Sequence, residues 1–152
     1  SLVTSADPSY LHVDPCEDAD TITIRYYVEG GSGDADIYFG CDSTCSTAGD
    51  NYVFQYHPLN TDNVFMSLRD GVNNYSEDVT KPPLHSRHEW LTVTLQIPPS
   101  DEKPVKATVI SESDSTIDSI TAPVPQEYRN GTWTIRTWDT VYIDSVEVYD
   151  RY

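Results

Sequence analysis

Arg136 and Trp138 have the residue types and the spacing to hold a planar ligand. In the run Thr132-Trp133-Thr134-Ile135-Arg136-Thr137-Trp138, Trp133 and Ile135 take one parity while Arg136 and Trp138 take the other. Alternate side chains of an extended chain point to opposite faces, so the apolar pair turns inward and the guanidinium and indole share the outward face. A flat indole suits the apolar side of a pyranose ring, and polar groups beside it reach the hydroxyls. By the same pattern Tyr27, Tyr38, Trp90 and Tyr128 fall on outward faces or loops, as candidate contacts for a carbohydrate or a protein partner. Large aromatics also fill cores, so each has a purely structural use as well.

Other chemistries lack their signatures. The chain has no G-x-S-x-G, no G-x-x-x-x-G-K and no H-E-x-x-H. His12 and His57 stand apart, while His85 and His88 lie three residues apart in a loop-like stretch. That spacing pairs side chains on a helix, so solvated histidines are expected here. Glycosidases need two carboxylates on facing strands; Glu147, between Val146 and Val148, sits in an apolar strand, and its register points it to solvent. No nucleophile–base constellation emerges. The expectation is a non-catalytic binding module; a protein-interaction or adhesion ectodomain and a small polysaccharide lyase or hydrolase are the alternatives.

The elements that must position these residues follow from composition and period. Among 152 residues there are 25 acidic and 9 basic ones, a net charge of −16, which disfavours nucleic acid and anionic membrane surfaces. No apolar run approaches the roughly 18 residues of a membrane span, so no insertion is expected. Apolar residues at 38% and eleven Tyr argue for a packed core rather than an acidic disordered tail. The length suits one domain, residues 1–152, and an opening Ser1-Leu2-Val3-Thr4 without Met or signal pattern suggests excision from a longer secreted or surface protein. Cys16, Cys41 and Cys45 permit one disulfide with the pairing open, and Asn74-Tyr75-Ser76 and Asn130-Gly131-Thr132 are glycosylation sequons. Together these point to an extracellular or cell-surface location.

Period two dominates. Strands are expected at Thr21 to Val28, Asp36 to Gly40, Tyr52 to His57, Asn63 to Arg69, Glu89 to Ile97, Val105 to Ser111, Thr132 to Thr137 and Thr140 to Tyr149. A single helical turn is possible at Leu68 to Asn73, and Asp70 to Arg87 and Ile117 to Asn130 read as long irregular pieces. About eight strands separated by Gly, Pro, Asn and Asp clusters predict an all-β antiparallel sandwich of jelly-roll type. In the last strand Val141 and Ile143 are out of phase with Val146 and Val148, which demands a bulge near Asp144-Ser145.

Val141-Tyr142-Ile143-Asp144-Ser145-Val146-Glu147-Val148 resembles the closing strand of galactose-binding-like jelly rolls, which include many carbohydrate-binding modules. Glu89 to Leu95 and Thr21 to Val28 are similar to two further strands of those modules. The resemblance implies a sugar-binding role and a structural calcium held by Asp144, with Asp14, Glu17, Asp18 and Asp20 as partners from the N-terminal segment. Ser145 stands where that family commonly has a second Asp or Asn.

Overall fold

A computed structural model describes residues 2–5, 8–13, 19–29, 34–41, 51–57, 65–70, 79–85, 88–129 and 132–150. Among these, alternating sequence becomes twelve strands: β1 (Leu2–Thr4), β2 (Ser9–Val13), β3 (Thr21–Val28), β4 (Asp34–Cys41), β5 (Tyr52–His57), β6 (Phe65–Asp70), β7 (Val79–Lys81), β8 (Trp90–Gln96), β9 (Val105–Ser111), β10 (Ile117–Ala122), β11 (Thr132–Trp138) and β12 (Val141–Tyr149). They form two antiparallel six-stranded sheets, ordered β1-β12-β3-β8-β9-β10 and β2-β11-β4-β5-β6-β7. This is the all-β antiparallel sandwich expected from the sequence.

The expected eight strands are all present, and four more join them. Short β1, β2 and β7 lie beside or at the sheet edges, and β10 occupies part of the segment read as irregular. Of the helical turn expected at Leu68 to Asn73, Leu68 to Asp70 are instead the end of β6 and pair with β5, while residues 71–73 lie outside the described ones.

The inner faces interlock as the alternation requires. From the first sheet come Ile22, Ile24, Tyr26, Leu91, Val93, Leu95, Val109 and Ile143; from the second come Ile37, Phe39, Phe54, Tyr56, Leu68 and Ile135, all buried. Removing side chains of this kind from water is the main driving force for folding. The β12 bulge falls where the phase break demanded it: the register against β3 shifts between Ile143 and Ser145. Val146 and Val148 thereby stand opposite Ile24 and Ile22 and pack against the core.

One glycine is required by geometry. Gly40 has φ +75°, and a Cβ there would lie 2.7 Å from both the Cα and the carbonyl oxygen of Tyr128. The short 3-10 turn Gln126–Tyr128 therefore docks on β4 only because that position lacks a side chain. Gly40→Ala should cost roughly 1–3 kcal/mol in strain. A denaturant midpoint equal to that of the parent would refute this close fit.

Candidate functional site

The outward face of the second sheet gathers the polar chemistry. On β4, Ala35, Ile37 and Phe39 turn to the core, which leaves Asp34, Asp36 and Tyr38 on the other side. On β5 the same alternation turns Val53, Gln55 and His57 outward, and on β11 it turns Thr134, Arg136 and Trp138 outward. Register then sets them in rows. Trp138 stands opposite Asp34; Arg136 opposite Asp36, and Asp36 opposite Gln55; Thr134 opposite Tyr38, and Tyr38 opposite Val53.

Most of this face is shielded from water. Asp36 and Thr134 are 0% exposed, and Gln55, Tyr38 and Val53 are buried too. Trp138, by contrast, is 36% exposed. The Arg136 guanidinium ties the rows together: Nη2 donates to Asp36 Oδ2 at 2.8 Å, and its carbon lies 5.0 Å from the Tyr38 ring centroid and 5.8 Å from that of Trp138. Gln55 Nε2 donates to the same Asp36 oxygen at 3.2 Å. His57 Nε2 lies 2.7 Å from Asp34 Oδ2 and 3.4 Å from Asp36 Oδ1.

These contacts reset the titrations. Burial, then the neighbouring Asp36 charge, raises the Asp34 carboxyl above the usual range. Burial pulls Asp36 the same way, but His57 and Arg136 outweigh it and hold that carboxyl low. For His57, burial opposes the charged form, yet hydrogen bonding to Asp34 and Asp36 lifts the imidazole to about 9. Burial pushes the Tyr38 phenol up to about 12.

The six aromatic and cationic residues singled out from sequence do not form one site. Arg136 and Trp138 do share a face, as their parity required. Tyr27 and Trp90 lie on the outward face of the other sheet, their rings 5.5 Å apart. Tyr142 and His88 flank Tyr27 there, while Arg25 lies 4.1 Å over the Trp90 indole and occupies one of its faces. Tyr128 is a correction: it is 7% exposed, packed 5.5 Å from Tyr52 with its hydroxyl toward Asp70. The 3-10 turn folds its ring into the core, which a loop reading could not foresee. Tyr38 keeps its outward parity but is buried.

His85 is also a correction. It is buried, with Nε2 3.2 Å from the Val109 carbonyl oxygen, whereas His88 is exposed. Asp144 sits at the bulge and faces a cation, Arg25 Nη1, at 3.0 Å. Among the described residues no group of three His, Cys, Asp or Glu includes Asp144. Its expected calcium partners Asp14 and Glu17, with Asp18, lie outside the described residues, as do Cys16, Cys45, Asn74 and Asn130. Cys41 ends β4.

Sequence reasoning missed Asp34, Asp36 and His57. The signal was present in Asp34-Ala35-Asp36-Ile37-Tyr38-Phe39, where small or apolar residues alternate with polar ones. Asp34 read instead as the end of the glycine-rich turn, and Asp36 as the first residue of the strand that follows.

Fold and site together define a two-sheet antiparallel β-sandwich with a polar outward face. No protein-family model matches the chain, and no curated protein matches it either. Among solved structures, the chain is similar to sheep galectin-11 in complex with glycerol (TM-score 0.58, 9% identity, 95% of this chain and 99% of that one). It is likewise similar to lectin II from Ulex europaeus (0.60, 13%, 86% and 72%). A third similar structure is scytalido-glutamic peptidase with a transition state analogue inhibitor (0.57, 14%, 98% and 82%). At these identities the likeness is one of fold.

Proposed function

We propose that this chain is a carbohydrate-binding β-sandwich whose ligand stacks on Trp138. The carrying observation is a 36% exposed indole that stands opposite Asp34 and 5.8 Å from the Arg136 guanidinium. An aromatic platform beside a few convergent polar groups is the usual make-up of a site that fixes a ring by stacking and its hydroxyls by hydrogen bonds. Support also comes from the folds it resembles: a galectin complexed with glycerol and lectin UEA-II complexed with galactose. Within this proposal the narrower family is the galactose-binding-like jelly roll, and the setting is extracellular or at the cell surface.

Trp90 is the weaker platform, because Arg25 already lies over its ring. A glycan array on the parent protein and on Trp138→Ala tests the proposal. Truncating a stacking tryptophan that anchors a ligand costs about 2 kcal/mol or more, so retention should weaken roughly thirtyfold. Unchanged retention in the variant would move the site elsewhere. A parent that retains no glycan but captures a protein ligand would make the chain an interaction ectodomain, and release of reducing ends would make it a hydrolase.

A further inference from the structure

We propose that Asp34, Asp36 and His57 form a binding site for a divalent transition-metal ion of the zinc class, whatever Trp138 recognises. One carboxylate oxygen from each aspartate and one imidazole nitrogen lie within 4.8 Å of one another. A zinc ion with oxygen and nitrogen ligands at about 2.0–2.2 Å separates its donor atoms by about 3.4 Å. The two spacings around His57 Nε2, 2.7 and 3.4 Å, lie at or below that separation. All three side chains rise from hydrogen-bonded strands, with the aspartates two residues apart on one face and the histidine on the adjoining strand. Sites on regular elements hold ligand geometry better than sites on loops.

Unmet hydrogen-bonding capacity points the same way. Among the described residues, Asp34 Oδ1 and Gln55 Oε1 are buried and accept no hydrogen bond, and Asp36 Oδ1 has only the 3.4 Å approach of His57 Nε2. Buried acceptors without partners are costly, and a cation satisfies them directly. Asp36 is already braced for ligation: Arg136 and Gln55 both donate to its Oδ2, which leaves Oδ1 turned to His57. Charge also leaves room, since two carboxylates facing one guanidinium have one negative charge uncompensated. Either a proton on His57 or a metal ion supplies the balance. The imidazole donor selects against calcium and magnesium, which favour all-oxygen sites. The His57 side chain is 19% exposed, so the cluster has access to solvent.

The test uses the full chain after chelator treatment, with zinc(II) alone as the probe. Calorimetry should show a saturable site, and the ¹⁵N resonance of the His57 imidazole should shift on loading. Asp34→Asn and His57→Gln should each weaken binding tenfold or more. Excess calcium should not displace the zinc. An unshifted His57 imidazole overturns the proposal and leaves a proton as the occupant. Equal zinc affinity in the parent and both variants also overturns it, since uptake would then lie on cysteines or other histidines. Displacement by calcium overturns the metal class. Should His57→Gln fail to fold, Asp34→Asn and the imidazole resonance decide alone.

Discussion

Asp118→Ala should lower the unfolding free energy by about 2–4 kcal/mol, the cost of leaving buried hydrogen-bond donors without their acceptor. Asp118 on β10 is fully buried in a core position, and its two oxygens are both used. Lys81 Nζ on β7 of the other sheet donates to Oδ1 at 2.5 Å. Tyr56 Oη and the Leu84 backbone N–H donate to Oδ2 at 3.0 and 2.8 Å, and the His85 N–H donates back to the Tyr56 hydroxyl at 3.0 Å. Burial, with the Asp118 carboxylate adding to it, holds the Tyr56 phenol well above its usual range. Alanine would leave the buried Tyr56 phenol and the Leu84 amide without their acceptor, while the 35% exposed Lys81 turns to water. Urea unfolding measures the loss, and Asp118→Asn should fall between parent and Ala. A loss below about 1 kcal/mol in Asp118→Ala would mean that the network holds nothing together.

Stability of the chelator-treated protein should fall as pH rises from 6.5 to 9. His57 has a folded pKa near 9 against an ordinary 6.5, because Asp34 and Asp36 on β4 favour its charged form over the opposing effect of burial. A group raised in this way stabilises fully below the unfolded value, and its contribution disappears as pH climbs through the folded one. The difference of 2.5 units corresponds to about 3 kcal/mol at most. The other groups facing the imidazole's partners do not titrate in this window: Arg136 on β11 is raised further, and Tyr38 is held near 12. His57→Gln should therefore give a flatter profile between these two pH values. Identical profiles for the two proteins would remove His57 from the account.

Where alternation was clean, the sequence already specified the structure. β3, β5 and β9 have the bounds expected of them, and β8 differs by one residue at each end. The bulge at Asp144 was legible because a period-two strand cannot change phase without one. β10 was hidden by its own core: Asp118 occupies an inward position while Ile117 is outward and 60% exposed. An apolar pattern cannot reveal a strand whose burial is made tolerable by a lysine from the opposite sheet. Only part of the candidate site was readable. Parity found the Trp138–Arg136 pair, but not the carboxylates opposite them, because pairing between β4 and β11 joins residues about a hundred positions apart.

That long-range pairing governs when the chain can fold. β3 lies between β12 and β8, and β4 between β11 and β5, so each has one neighbour made much later than itself. Until β11 and β12 have been made, both early strands keep an open flank carrying unpaired amides beside apolar side chains. Completion of both layers therefore waits for these two late strands, with the slow search that high contact order imposes. The nascent chain, rather than the finished sandwich, is the state most exposed to mispairing with a second copy.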